Sequence, residues 1–523
     1  MRLSNTHGFA ALLALPFHVT AQNANADATV QDTLSDCLLE GYPLLSFEKY
    51  AQPLITTVGP NQISHARELR TADYRLVVKP NVDTIYSTAI FDLSHFDLVV
   101  NVPAFLESFV LFSYYDPYGD NFANIGAGNY RAAGQYRLTK SSMSNADVQA
   151  EVPANPDSPP YVATITSPAT YGVLLIRLLV NATNLDAVHD YQDAIFLQNV
   201  TRAESRTARP YLSDLPVPDS SLTPAENVIR LYSAFTAADS PSTESTAATS
   251  CVAGSTADLA QANASAIQTA MEAADAASTR LNNGWARPNA SLIGNYGTNY
   301  GFRTAMALAG YLALTSPEAV YPNWGNGSSD AASVGDSYPL GPDESVLYTF
   351  SGKPPLQDGG FWSLTAYEDD YLIPNSRDVY ALGDRSNLTY SNGAPVYGGN
   401  ASNTDGTFQI LIQPANVAPP ANWTSNWLPG PPNGGNYSAI LRWFGAEEAL
   451  LDGSYQYPVV TRQPAIRGNS NSTSTGGNGT GTGSGVSPSR TQVPYTGAGN
   501  SMVGDGTLIA SAALLVLAFS VMY

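Results

Sequence analysis

The chain has 523 residues, a formal net charge of −20 at pH 7 and only 13% charged residues. That acidic balance excludes nucleic acid and anionic lipid headgroups as direct partners, because both repel an acidic surface. Low charge with abundant Tyr, Gly, Pro, Ser and Thr fits a β-rich secreted protein better than a helical cytosolic one.

The N-terminus carries Arg2, an apolar run over 9–19, and small residues at Val19 and Ala21 in the −3 and −1 positions of a cleavage site. Residues 1–21 read as a secretory signal peptide, and 22–72 as an N-terminal helical segment. Roughly 440 residues between the terminal segments exceed one simple core and predict two domains or one large composite. Residues 73–183 read as a first β-domain. Stretches 75–79, 84–93, 97–102, 108–115, 161–166 and 171–180 are rich in β-branched and aromatic residues and punctuated by Pro, Asn and Ser. Their short spacings predict antiparallel strands.

Residues 184–340 read as a helical connector. Helices are expected over 185–196 after Asn184, from Thr223-Pro224-Ala225-Glu226 (a capping box with Pro at the first helical position), over 256–281, and over 302–314. A polar loop, 237–250, separates the second from the third. Residues 341–463 are strand-rich again, most clearly at 345–350, 361–368, 408–413 and 437–444. The resulting fold class is α+β: two antiparallel β-sandwich-like domains joined by a helical connector.

The C-terminal part begins with a Ser/Gly/Thr-rich linker over 464–499. Small residues at Gly497, Ala498, Gly499, Asn500 and Ser501 precede a spacer and an apolar run over 508–523 with no basic residue after it. This pattern predicts a glycolipid (GPI) attachment signal. Attachment is expected at Gly499, with Gly497 nearly as good, and removal of 500–523. The protein would then sit outside the cell, tethered by the lipid to the outer membrane leaflet or the wall; an ordinary tail anchor is the alternative. Cys37 and Cys251 are the two cysteines, and in a secreted chain an even pair reads as a disulfide closing a long loop. Two buried thiols are the alternative. Sequons at Asn181, Asn199, Asn263, Asn289, Asn387, Asn422, Asn436 and elsewhere are glycan positions only where they reach the surface.

Past the signal peptide the histidines are His65, His95 and His189, and there is no H-E-x-x-H, G-x-S-x-G or convincing P-loop. Carboxylate, amide, tyrosine and arginine chemistry remains. The densest polar cluster is Pro80-Asn81-Val82-Asp83-Thr84-Ile85-Tyr86-Ser87, opening an apolar strand. Asn81, Asp83 and Ile85 are expected on one face, with Thr84, Tyr86 and Thr88 on the other. A second cluster, 114–122, holds Asp116 and Asn121. Arg177 interrupts an apolar run and, if buried, needs a carboxylate or several carbonyls. Each feature also has a structural reading: Asn-x-Asp after Pro and Asp-Pro-Tyr-Gly are turn chemistry.

His65-Ala66-Arg67 followed by Val77-Val78-Lys79-Pro80-Asn81-Val82-Asp83-Thr84-Ile85-Tyr86-Ser87 resembles the N-terminal signature of the DUF1254 family. Asp116, Asn121-Phe122-Ala123, Ile125-Gly126, Arg177 and Gln192 resemble its later blocks, and Gly297-Thr298-Asn299-Tyr300 with Arg303 and Ala305 its connector. Phe361-Trp362-Ser363-Leu364-Thr365-Ala366-Tyr367, Pro374-Asn375, Asn426-Trp427-Leu428-Pro429, Arg442 and Asp452-Gly453 resemble the companion DUF1214 domain. Gly126-Ala127-Gly128-Asn129 departs from the family's Gly-Ser-Arg. The resemblance implies two β-sandwich-like domains and a helical connector, and no established reaction.

Two functions are expected. One is a hydrolase acting on a small polar or carboxylated extracellular substrate. Asp83 and Asp116 would be its acid/base pair, with Asn81, Tyr86, Asn121 and Arg177 binding substrate. The same oxygens could instead hold a divalent cation. The other is a non-catalytic surface protein that binds carbohydrate through Trp362, Tyr367, Trp427 and Trp443. A purely structural wall protein is disfavoured, because the chain is not repetitive.

Overall fold

The computed structural model describes residues 24–75, 79–104, 108–126, 132–141, 161–201, 209–239, 251, 255–316, 318–325, 337–398 and 406–468. The signal peptide, most of the linker, the GPI region with Gly499, and most of the loop at 237–250 fall outside them. So do three residues of the strand expected at 75–79.

The described chain is α+β. It opens with α1 (Ala24–Thr57), which continues through Pro43 and Pro53. Pro43 has no N–H to give the Leu39 carbonyl one turn earlier. The Thr304 hydroxyl donates to that carbonyl instead, so the proline defect becomes a contact between helices. The first β-domain contains β1 (Ile63–His65), β2 (Thr84–Asp92), β3 (Asp97–Val102), β4 (Val110–Tyr115), β5 (Asn121–Gly126), β6 (Gly134–Lys140), β7 (Ala163–Ser167), β8 (Tyr171–Leu179) and β9 (Leu197–Val200). They form two sheets, β1-β2-β8-β4-β5 and β7-β6-β3-β9. All ladders are antiparallel except β6–β7, whose connection is long enough for the crossover a parallel pair needs. Ile85, Phe91, Leu98, Phe112, Tyr136 and Leu174 fill the space between the sheets.

The connector helices are α2 (Leu185–Ala194), α3 (Pro224–Asp239), α4 (Thr256–Ala276) and α5 (Tyr300–Gly310). The capping box at α3 forms: Thr223 N donates to Glu226 Oε2 at 2.7 Å and Glu226 N to Thr223 Oγ1 at 3.3 Å. Three helices end earlier than their apolar patterns suggest. After α2 the chain becomes β9 on the first sandwich. After α4, Ser278–Arg280 pairs with Trp285–Pro288. After α5, Leu312 takes a left-handed φ of 66°. Residues Leu34, Leu38 and Tyr42 of α1 pack on Val228, Ala262, Ala266 and Ala305, so the N-terminal helix joins the connector bundle. The Cys37–Cys251 disulfide is formed and clips α1 to the middle of the chain.

The second β-domain contains β10 (Glu344–Phe350), β11 (Leu356–Glu368), β12 (Phe408–Pro414), β13 (Trp427–Gly430), β14 (Gly435–Ala446) and β15 (Val459–Pro464). One sheet is built on the long β11–β14 ladder; the other runs β13-β12-β10-β15, with β12–β13 parallel. Along β11 the period of two divides roles. Trp362, Leu364 and Ala366 enter this domain's core. Phe361, Ser363 and Tyr367 point the other way, toward the first domain, where Phe361 and Phe444 stack at 4.3 Å and meet Phe109 edge-on.

Candidate functional site

The two β-domains meet face to face, and the Pro80–Asp83 segment lies in the seam. Asn81 Oδ1 accepts the N–H of Asp83 at 2.6 Å and of Thr84 at 3.3 Å, an Asx turn that spends the side chain locally. The turn breaks the alternation expected across 81–85. Ile85 enters the first sandwich core, whereas Asp83 crosses to the second domain. There Ser363 Oγ donates to Asp83 Oδ2 and an Arg385 Nη donates to Oδ1, both at 2.6 Å. Arg385 also approaches Asp384 at 3.6 Å. Lys79 N donates to Asp370 O, and its ammonium pairs with the Asp370 carboxylate at 3.1 Å. Tyr367 OH donates to Pro80 O at 2.9 Å, and an Arg442 Nη donates to Lys79 O at 3.2 Å.

Beside this seam the outer face of the first sheet carries Tyr86, Arg177, Thr88, Ser113 and Tyr115 in neighbouring register positions. Arg177 is buried, 7% exposed. One Nη donates to Ser113 Oγ at 3.3 Å and Tyr115 OH at 3.4 Å, both long. Among the described residues its Nε and other Nη make no hydrogen bond. Among the described residues no carboxylate forms an ion pair with it; every Asp and Glu so engaged pairs with another cation. Tyr50 of α1, hydrogen-bonded to Thr88, and Tyr321 complete the surroundings. Tyr50, Tyr86 and Tyr321 are half-buried and pack against one apolar cluster, so a partly open, phenol-lined space adjoins the guanidinium.

Burial pushes the Tyr50 hydroxyl up to about 12, against the opposing pull of Thr88 and the Arg177 charge. Burial likewise raises Tyr115 and Tyr321, with Arg177 opposing it in both. Burial alone would lower the Arg177 pKa, but the facing Tyr115, Tyr86 and Tyr321 hydroxyls outweigh it and raise the value. The guanidinium is therefore a fixed positive charge in a phenolic cleft.

The structure does not bring Asp83 and Asp116 together. Thr84, next to Asp83, pairs with Leu179 of β8, and Tyr115, next to Asp116, pairs with Val173. Six residues along a strand is about 20 Å, so the two carboxylates sit at opposite ends of the sheet and cannot act as one acid/base pair. Asp116 Oδ1 accepts the N–H groups of Tyr118 and Asp120 at 2.9 and 3.0 Å. Burial raises its pKa to about 8, Asp120 adds to this, and Arg303 opposes it. Asn121 is spent structurally, donating to Tyr114 O and accepting from Thr315 N and Oγ1. Of the expected site residues, Tyr86 and Arg177 share the cleft, with Asp83 at its seam. Among the described residues no group of three or more His, Cys, Asp or Glu is arranged to hold a metal ion.

Tyr50, Tyr115, Tyr321, Ser363, Arg385 and Arg442 were not among the expected site residues. The signal that singled out Arg177 was present again for Arg442: an arginine inside an otherwise apolar strand. Trp362 and Trp443 are fully buried and Trp427 is 6% exposed, so these three indoles offer no stacking surface to a sugar.

The profile described as protein of unknown function (DUF1254) matches residues 60–199, and that described as protein of unknown function (DUF1214) matches 331–448. The crystal structure of the VPA0106 protein from Vibrio parahaemolyticus is similar in fold, with a TM-score of 0.54 at 17% identity over 83% of this chain and 100% of that one. A crystal structure of a putative uncharacterized protein from Burkholderia cenocepacia aligns at a TM-score of 0.39 and 11% identity, over 85% of this chain and 97% of that one. Among curated proteins none matches this chain. The chain therefore carries a DUF1254 domain followed by a DUF1214 domain.

Proposed function

We propose that the cleft between the two β-domains binds a small carboxylated molecule, with Arg177 as its charge anchor. The observation that carries this reading is a buried guanidinium left with two long hydrogen bonds to hydroxyls and no carboxylate. A buried charge is stable only when paired or fully hydrogen-bonded. The chain has 44 Asp and Glu residues, yet none of those described pairs with Arg177. A carboxylate from outside would supply the charge-assisted, two-pronged partner that a guanidinium fits best. The Tyr50, Tyr86, Tyr115 and Tyr321 side chains would add hydroxyls and apolar ring surface.

Binding is favoured over hydrolysis because Asp83, the aspartate at the seam, has both oxygens engaged, by Ser363 and Arg385. It is favoured over carbohydrate stacking because the tryptophans are buried. The signal-peptide and GPI patterns support placing this activity outside the cell on a lipid-tethered protein. Asn181, Asn387, Asn422 and Asn436 are exposed and suited to carry glycans there.

The test is thermal unfolding of the purified protein with acetate, butanoate and benzoate, repeated on Arg177→Gln. A ligand at 100 times its Kd adds about 2.7 kcal/mol to stability. A rise in Tm with a carboxylate that is absent in Arg177→Gln supports the reading. A rise that persists in Arg177→Gln, or none with any carboxylate, rejects it.

A further inference from the structure

A second buried arginine lies at the seam, in the other domain. Arg442 of β14 is 2% exposed. Its nitrogens donate to Thr365 Oγ1 at 3.1 Å, Tyr367 OH at 2.8 Å and Lys79 O at 3.2 Å, all neutral acceptors. Among the described residues its Nε makes no hydrogen bond. The guanidinium carbon lies 6.0 Å from the Tyr321 ring and 5.7 Å from the Tyr367 ring.

The Tyr321 ring, near Arg442, packs on the same apolar cluster as Tyr86, the cross-strand neighbour of Arg177, and Tyr321 feels the charge of both arginines. Three carboxylates are near. Asp83 and Asp384 pair with Arg385, and the Asp83 charge also acts on Arg442. Glu318 is buried, and its charge is felt by Tyr115. Two buried like charges near one phenol repel each other in a low-dielectric surrounding. A pair of negative charges set between them would offset both.

We infer that the ligand is a short dicarboxylate spanning the seam, one carboxylate on Arg177 and the other toward Arg442, so that binding fastens the two domains together. This rests on the reading of the cleft as a carboxylate site and adds a second anionic end to it. The Lys79–Asp83 segment is a strap between the domains, held by Arg442, Tyr367, Ser363 and Arg385. A ligand held at both ends would therefore restrain that strap, whereas one held only at Arg177 would not.

The experiment measures binding of butanoate, succinate and glutarate to the purified full-length protein by calorimetry. Amide hydrogen exchange at residues 79–84 is followed with and without each acid. Succinate or glutarate is expected to bind about tenfold or more tighter than butanoate, and to slow exchange at 79–84 where butanoate does not. In Arg442→Gln the dicarboxylate advantage falls to about unity while butanoate binding is kept; in Arg177→Gln both are lost. Arg442→Lys retains the charge, and with it part of the advantage. If Arg442→Gln does not fold, the comparison of mono- and dicarboxylates on the unaltered protein still decides. Butanoate binding as tightly as both dicarboxylates overturns the second contact and leaves the Arg177 site standing. No binding of any of the three to folded protein removes both.

Discussion

Burial decides how Asp116 and Glu48 titrate. Burial, then Asp120, raises Asp116 from 3.8 to about 8, and burial raises Glu48 from 4.5 to about 7. Between the unfolded and folded values the native state holds protons that the unfolded chain has released. Their contribution to stability is therefore complete below about pH 4 and declines as pH rises toward 8. The urea midpoint is expected to fall across that window. Asp116→Asn keeps an oxygen acceptor for Tyr118 and Asp120 N–H and should flatten the slope, a midpoint unchanged from pH 4 to 8 being the contrary result. Asp83 behaves differently because it has a partner. Asp83→Ala removes the counter-charge of Arg385, whose side chain is 25% exposed. A loss of about 2–4 kcal/mol is expected, slightly below that of a fully buried pair. Denaturant unfolding checks it, and a change below about 0.5 kcal/mol would mean that water replaces the carboxylate.

At the scale of elements, α1 depends on contacts far away in sequence. It continues through two prolines, each of which costs an interior helix about 3 kcal/mol. What holds it is the Thr304 hydroxyl, the apolar contacts with α3, α4 and α5, and the disulfide. The bridge spans 214 residues, and chain entropy for so long a loop gives about 5 kcal/mol, with about 2–4 typical of measured bridges. Cys37→Ser with Cys251→Ser should lower stability by about 2–5 kcal/mol and make α1 the first segment cut in limited proteolysis. Cleavage beginning elsewhere would show that packing alone secures the helix. At the seam, the hairpin between β11 and Tyr371–Leu372 turns through Asp369 and Asp370, both at positive φ, and Lys79 opposite is at φ 47°. Two successive positive φ values match the twist of a tight hairpin, where Asn-Gly is usual. Here Asp370 keeps a side chain at that position, and it pairs with Lys79.

For the whole molecule, the seam joins the domains through Asp83, Lys79, Arg442, Tyr367 and the Phe109–Phe361–Phe444 cluster. One cooperative thermal transition is expected for the full protein, with Arg442→Gln or Asp83→Ala separating it into two. Two transitions in the unaltered protein would show the seam to be weak. Much of this plan was legible in the chain. Residues 84–93, 97–102 and 171–180 show strand composition, Thr223–Glu226 a helix start, and the motif blocks both domain families, because period, caps and turns are local signals. The short strands β1, β5 and β9 were not legible, since their residues are intermediate in pattern and are extended by the partner they pair with. Helix ends were not legible for the same reason: apolar residues after Ala194, Ala276 and Gly310 continue the pattern but are buried by other neighbours. The sequence by itself determined the fold class, the two-domain order and the polar residues out of place in apolar strands. Only the tertiary structure decided which of those residues meet, setting Asp83 and Asp116 at opposite ends of one sheet and Arg442 against Lys79 at the seam, because proximity across a seam depends on how sheets pack, which no local pattern of residues encodes.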